Sequence, residues 1–169
     1  DLATGHCADL LRPPRRGATT LVNDNTPSAG AAELPGPAAA GGRFDLPIPN
    51  GWFAVAWSKD LAPGEVKRAF YFNRELVIFR TESGRACVFD AYCPHLGAHM
   101  GVGGTVDGET LRCPFHAWRY DCEGTCVEIP YAKRIPRGAR AGAWKVVEAN
   151  DMAFVWHHID GKPPFFDMP

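Results

Sequence analysis

The chain of 169 residues is long enough for one domain with a proper core, and 46% of its residues are hydrophobic. Its formal net charge of -1 at pH 7 gives no support for nucleic acid or an anionic membrane surface as a partner. No apolar run approaches the roughly 20 residues needed to cross a bilayer, so we expect no membrane span.

Residues 1–42 differ from the rest of the chain in composition. They contain no aromatic residue and end in a run of alanine, glycine and proline. Such a segment cannot bury enough apolar surface to offset the entropy lost on ordering, which predicts a disordered lead-in. Arg15 and Arg16 suggest a twin-arginine export signal, but the sequence after them turns polar within six residues instead of forming an apolar core. We therefore expect a cytoplasmic protein.

From residue 43 onward, short segments rich in aromatic and β-branched residues predict strands. These segments are 51–57, 69–73, 75–80, 86–91, 144–149 and 152–157. Turn-forming pairs such as Asp107–Gly108 and Asn150–Asp151 lie between them, and no stretch of ten residues has a helical stripe. The pattern predicts an all-β domain over residues 43–160, a small antiparallel β sandwich or barrel with two glycine-rich loops.

Two segments, 93–104 (CPHLGAHMGVGG) and 113–118 (CPFHAW), each hold one cysteine close to one histidine. Cys93 precedes His95 by two positions, and Cys113 precedes His116 by three. One interpretation is a zinc ion held by two thiolates and two imidazoles, although zinc fingers usually pair like residues on each knuckle. The other is a Rieske-type [2Fe–2S] cluster, in which two cysteines hold one iron and two histidines hold the other. The spacing favours the cluster, because each loop then supplies one ligand of each kind.

Neighbouring residues have mechanical roles in this interpretation. Pro94 and Pro114 each follow a candidate cysteine and stiffen its loop. The glycines of the first loop allow tight turning, so that backbone N–H groups can point at cluster sulfurs. Leu96, Met100 and Phe115 are suited equally to an apolar cover over the site or to the core.

The longer segment 92–136, with CPHLGAHMGVGG and CPFHAWRYD, resembles the Rieske domain of Rieske non-haem iron oxygenases. The resemblance runs from about Gly51 to the C-terminus and is strongest to the branch of 3-ketosteroid 9α-hydroxylase oxygenase components and cholesterol 7-desaturases. It implies the Rieske fold with two cluster-binding loops. It also implies Cys93 and Cys113 as ligands of the inner iron, and His95 and His116 as ligands of the outer iron.

The resemblance further implies the electron-transfer part of an oxidoreductase, an oxygenase component with hydroxylating or desaturating activity in steroid metabolism. Such a domain passes electrons from an NAD(P)H-dependent reductase or a ferredoxin to a mononuclear iron that activates O2. That iron belongs to a catalytic domain of the same or the neighbouring subunit of a trimer, and the family holds it by two histidines and a carboxylate. No such triad is evident here, so we predict no catalytic residue, and residues 161–169 are expected to begin a linker into the catalytic domain. The alternative is a free-standing Rieske ferredoxin that only carries electrons.

Departures from a sister class bear on the reduction potential. Respiratory Rieske proteins carry an extra cysteine in each loop and a serine that bonds to a cluster sulfur. The corresponding positions here are Ala98, Phe115 and Trp118. The absence of these two cysteines and of the serine predicts a reduction potential toward the low end of the Rieske range of about -150 to +300 mV.

The remaining cysteines and histidines receive simpler interpretations. Cys122 and Cys126 flank the tight turn of CEGTC and are expected to be free thiols in a reducing cytosol. Cys87 lies in a strand pattern and is expected in the core. His99 shares the first loop with two candidate ligands, and we expect it at the surface or beside the site.

Overall fold

A computed structural model of the protein describes residues 47–168, which contain ten β-strands and one short 3-10 helix. The strands are β1 Gly51–Trp57, β2 Val66–Tyr71, β3 Arg74–Arg80, β4 Ala86–Asp90, β5 Thr105–Asp107, β6 Thr110–Arg112, β7 Arg119–Asp121, β8 Cys126–Glu128, β9 Val146–Ala149 and β10 Met152–His157. The 3-10 helix, Ser58–Asp60, follows β1. The all-β prediction is confirmed, whereas the expected disordered lead-in, residues 1–42, lies outside the described residues.

The strands form three antiparallel sheets. Their orders are β1-β10-β9, β2-β3-β4 and β5-β6-β7-β8. β1 and β10 pair along their lengths, with Gly51 opposite His157 and Trp57 opposite Met152. The first strand of the domain is therefore held by its last strand, and the segments that carry the candidate ligands lie between them in sequence.

The sheet of β2, β3 and β4 separates two hydrophobic cores. On β3, Val77 and Phe79 belong to one core, and Leu76 and Ile78 belong to the other. Successive side chains of a strand point to opposite faces, so these four consecutive buried residues of β3 contribute to both cores. The first, here called the loop-side core, also contains the two candidate cysteines, and the second faces β1 and β10.

One charged residue of β3 is buried with an ionic partner. Arg80 makes two contacts with the carboxylate of Glu148 on β9, at 2.7 and 3.1 Å, and its Nε donates to the Leu61 carbonyl at 2.6 Å. These hydrogen bonds from Arg80, opposed by burial and assisted by the Ser58 hydroxyl, hold the pKa of Glu148 below its usual range. The pair links two sheets with good bidentate geometry.

A disulfide joins Cys87 on β4 to Cys122, which follows β7, with Cα atoms 5.5 Å apart. The expectation of a free thiol at Cys122 is therefore wrong, whereas Cys126 is free and buried. Nothing in the sequence pattern indicated this bond, because Cys87 is 35 positions away and comes close only where the sheet of β2, β3 and β4 packs on the four-stranded sheet. The core prediction for Cys87 is confirmed, since it is 2% exposed.

Residues 161–168, expected to begin a linker, pack against the sheet of β1 and β10. The indole of Trp52 donates to the Phe166 carbonyl at 3.1 Å, and that of Trp156 donates to the Lys162 carbonyl at 2.8 Å. Phe165 and Phe166 place their rings edge-on to Trp156. No helix within residues 47–168 has the length and apolar character needed to cross a bilayer.

Candidate metal centre

The two candidate loops, which connect β4 to β5 and β6 to β7, share one hydrogen-bonding frame. In each, the cysteine N–H donates to the carbonyl of the fifth residue after it, and the cysteine carbonyl accepts from the N–H of the fourth. The N···O distances are 2.9 and 2.9 Å around Cys93, and 2.8 and 3.1 Å around Cys113. Each loop is therefore closed at its cysteine by a turn of the same size, which gives the two thiols equivalent positions.

The frame requires a left-handed backbone at the fourth residue after each cysteine. Gly97 supplies it in the first loop with φ 73°, at no steric cost. Ala117 supplies it in the second with φ 57°, where a side chain makes the conformation strained. Gly104 has a different reason to be glycine, because a Cβ there would collide with the Met100 carbonyl oxygen.

The histidines occupy different positions in these two similar turns, since His95 lies two residues after its cysteine and His116 lies three residues after its own. As a result His95 and His116 reach toward each other, with ring centroids 4.7 Å apart and planes at 70°. Both rings are half-buried. The exposed apolar side chains of Leu96 and Phe115 take the complementary positions, so each loop tip carries one imidazole and one apolar side chain.

The two thiols are buried at the end of the loop-side core, each 3% exposed. Burial raises the pKa of the Cys113 thiol, and the adjacent Cys93 thiol adds to the rise, while the N–H groups of Phe115 and His116 act in the opposite direction. No three histidine, cysteine or acidic side chains in residues 47–168 converge on one point that could hold a single ion. A [2Fe–2S] cluster needs no such convergence, because each iron takes two protein ligands, and thiol beside thiol with imidazole beside imidazole fits that donor set.

Sequence reasoning missed Tyr120, which lies on β7 and is completely buried. Its hydroxyl is 3.2 Å from the sulfur of Cys93. Burial, the bond to Cys93 and the neighbouring thiols raise the pKa of Tyr120 far above its usual range, so the phenol stays protonated. Once Cys93 is a thiolate, the phenol can only donate to it. The sequence pattern that could have predicted this position is the alternation of Arg119, Tyr120 and Asp121, because successive side chains of a strand point to opposite faces and the tyrosine then points inward.

Trp118 and Tyr131 are two further residues whose roles the sequence did not reveal. The indole of Trp118 stacks on His95, with ring centroids 4.3 Å apart and planes at 11°. Its Nε1 donates to the hydroxyl of Tyr131 at 2.7 Å, and the Tyr131 ring lies 6.4 Å from that of His116. Trp118 therefore fixes the plane of one imidazole, and Tyr131 fixes Trp118.

Other residues singled out from the sequence have supporting positions. The ring of His99 is 3.4 Å from Glu75 and accepts the Gly101 N–H at 3.1 Å, so it stabilises the first loop from beside the site. Met100 is fully buried in the loop-side core. Cys126 lies in the same core, where burial raises the pKa of its thiol.

An antiparallel β domain that presents paired thiols and paired imidazoles on two like-built loops is typical of iron–sulfur proteins with mixed ligation. The chain belongs to the Rieske [2Fe–2S] domain family, whose model matches residues 51–139. The resemblance found in the sequence is thus confirmed, as are the Rieske fold and the iron–sulfur cofactor that defines the family.

Relatives belong to the branch that the loop sequences indicated. The chain is 46% identical over 127 residues to cholesterol 7-desaturase nvd 1 of Ciona intestinalis, a match that covers 74% of this chain and 27% of the relative. It is 44% identical over 116 residues to the probable oxygenase component of 3-ketosteroid-9-alpha-monooxygenase of Rhodococcus rhodochrous, covering 68% and 29%. The chain therefore spans less than a third of the length of these relatives.

Solved structures agree in fold. The oxygenase–ferredoxin complex of carbazole 1,9a-dioxygenase matches with a TM-score of 0.58 and 29% identity, over 68% of this chain and 30% of that one. Dicamba monooxygenase bound to dicamba matches with a TM-score of 0.57 and 22% identity, over 69% and 36%. The latter likeness shows the shared fold alone.

Proposed function

We propose that Cys93, His95, Cys113 and His116 hold a [2Fe–2S] cluster and that the domain transfers one electron at a time. The single observation that supports this proposal is that the two loops place thiol beside thiol and imidazole beside imidazole. The two thiols are buried side by side, and the imidazoles meet at the surface end of the same loops. When bound, the cluster supplies a reversible one-electron centre.

The protein's own groups then have separate tasks. The buried thiols form the inner end, where the Tyr120 hydroxyl donates to Cys93. The half-buried imidazoles form the outer end, where an electron can enter or leave over a short distance. Trp118 holds His95 in one orientation, and Leu96 and Phe115 are exposed at the loop tips, where another protein can contact them.

We further propose that the domain serves a Rieske oxygenase acting on a sterol or steroid by hydroxylation or desaturation. The support is the identity to cholesterol 7-desaturases and to a steroid monooxygenase component. In this proposal an NAD(P)H-dependent reductase or a ferredoxin supplies the electrons. A mononuclear iron in a catalytic domain of the same or the neighbouring subunit, in a trimer, receives them. A solved relative is an oxygenase–ferredoxin complex, which supports this class of donor.

A cytoplasmic location is part of the proposal, and the disulfide provides a test of it. Cytosolic thiols are mostly kept reduced, whereas the structure pairs Cys87 with Cys122. Alkylation of the protein at the moment of cell lysis, followed by mass mapping, measures the state of both residues. Modification of both supports a reducing compartment, and protection of both contradicts it.

The ligand assignment is tested by iron and acid-labile sulfide analysis of anaerobically loaded protein and of single variants. We expect two irons and two sulfides in the wild type. We expect loss of the visible spectrum in Cys113→Ser, and an altered spectrum in His95→Cys. Cys126→Ser is the matched control, because this buried thiol lies in the same core but on neither loop. A spectrum lost in Cys126→Ser and kept in Cys113→Ser contradicts the assignment.

A further inference from the structure

A strongly cationic segment lies next to the candidate metal centre. Residues 130–140, here called the basic loop, connect β8 toward β9, and every residue from 130 to 138 is exposed. The stretch 129–145 contains five cationic residues and no acidic one, whereas the rest of residues 47–168 contains more acidic than cationic residues. The cationic residues are Lys133, Arg134, Arg137, Arg140 and Lys145. This segment therefore carries a net positive charge, whereas the rest of the described residues carries a net negative charge.

The basic loop is fixed against the candidate ligands. Its ends are anchored by Ile129 and Ala139, which belong to the same core as the two thiols. Tyr131 accepts a hydrogen bond from Trp118, and its ring lies 6.4 Å from that of His116. Consecutive Cα atoms are about 3.8 Å apart, so the Cα atoms of residues 133 and 134 lie within about 11 Å of that of Tyr131. The two cations therefore follow closely in the chain on the residue that borders the imidazole end of the site.

The charges of the loop are not neutralised within the described residues. Arg68, Arg74, Arg80, Arg85 and Arg119 each pair with an acidic side chain. By contrast, no ion pair within residues 47–168 involves Lys133, Arg134 or Arg137. Arg140 differs, since it donates to Thr125 and to the Glu123 carbonyl and so holds the end of the loop. Three cations are left facing solvent.

We propose that the basic loop, together with the apolar loop tips at Leu96 and Phe115, is the docking surface for an acidic one-electron donor protein of the ferredoxin type. The inference rests on the proposed electron-transfer function. An apolar centre beside a charged rim is the usual form of a transient interface, and complementary charge accelerates encounter. The donor loses one electron and this domain gains it, with no bond made or broken.

The test uses a purified acidic plant-type [2Fe–2S] ferredoxin as the probe. Its Kd for the cluster-loaded chain is measured by calorimetry, and its rate of electron transfer is measured by stopped flow. The variant is Lys133→Glu with Arg134→Glu. The matched control is Lys59→Glu with Lys162→Glu, which makes the same charge change at exposed positions on or beside the sheet of β1 and β10. Salt is raised from about 0.01 M to about 1 M, which shortens the Debye length from about 30 Å to about 3 Å.

We expect the wild type to bind more weakly and to accept electrons more slowly as salt rises. At low salt the basic-loop variant should show at least about a tenfold weaker Kd and slower rate, and little further salt dependence, whereas the control stays within about twofold of the wild type. Equal losses in both variants, or wild-type binding that salt does not affect, overturns the inference. The visible spectrum separates the two proposals. A normal spectrum with no ferredoxin binding refutes only the docking surface, and a missing cluster refutes the function.

Discussion

Replacing Tyr120 by phenylalanine removes one hydrogen bond donor from the candidate cluster and almost nothing else. The hydroxyl is 3.2 Å from the Cys93 sulfur, and the residue is completely buried, so no solvent molecule can take its place without disturbing the core. A donor aimed at a ligand sulfur stabilises the reduced state more than the oxidised state, because reduction adds negative charge. Tyr120→Phe should therefore lower the reduction potential.

The size of the shift follows from the strength of the bond. A hydrogen bond to a charged group contributes about 1.5–3 kcal/mol, and one added electron is shared among several atoms. Assigning about a third to a half of that energy to the difference between redox states gives about 1 kcal/mol. For a one-electron couple 1.4 kcal/mol corresponds to about 59 mV, so we expect a decrease of about 40 mV.

Redox titration followed in the visible spectrum measures the potentials of wild type and variant. Tyr71→Phe is the control, because that hydroxyl bonds to the Val55 carbonyl on another sheet. We expect the control to shift by less than about 10 mV, since its lost bond is remote from the sulfurs. A Tyr120→Phe potential equal to or above that of the wild type refutes the reasoning. The absolute value, expected toward the low end of the Rieske range, stays a prediction.

Three further predictions concern stability. Glu148→Gln should destabilise the fold by about 1–2 kcal/mol at pH 7, since the partly exposed pair loses its charge-assisted bonds to Arg80. The folded-state pKa of Glu148 is lowered, so the difference in unfolding free energy between wild type and variant should be full above a carboxylate's usual pKa of about 4.3. It should vanish as the pH falls through the lower folded-state value. Urea titrations at several pH values measure this difference, and a difference that grows in acid would contradict the prediction. Ala117→Gly should stabilise the fold by about 0.5–1 kcal/mol, because glycine adopts φ 57° without the strain that alanine has there. Gly97→Ala should destabilise the fold by about 1 kcal/mol for the converse reason. If both variants shift the Tm in the same direction, the strain argument is refuted. Cys87→Ser with Cys122→Ser should destabilise the fold by about 3–4 kcal/mol, because the lost bond spans 35 positions. A reductant should lower the Tm of the wild type only, and equal Tm values for wild type and double variant without reductant would contradict the prediction.

Strands of four or more residues, rich in aromatic and β-branched side chains, were predictable, and the three-residue strands were not. The predicted strands 51–57 and 152–157 have the bounds of β1 and β10. The four strands β5 to β8, which support the candidate loops, have only three residues each and were missed, since three residues show no measurable period. The predicted strand 69–73 extends past the end of β2 at Tyr71, since Phe72 and Asn73 take positive φ values in the turn and Arg74 already begins β3.

The four candidate ligands were identified from spacing alone, because one thiol and one imidazole per loop is an unusual requirement. Their supporting residues were not identified, because support here comes from distant parts of the chain. Tyr120 reaches back to Cys93 across 27 positions, and Cys122 reaches Cys87 across 35. Tyr131 contacts Trp118 because the chain after β8 returns to the site. Contacts of this kind depend on how sheets pack, which local patterns do not encode.

The most direct test of the account is pulsed paramagnetic resonance of the dithionite-reduced, cluster-loaded chain. If His95 and His116 are both ligands, the spectrum contains couplings to two imidazole nitrogens, and His95→Cys retains one of them. Iron-free zinc protein, or a cluster signal without nitrogen coupling, would contradict the central claim that two loops bind two irons with different ligands.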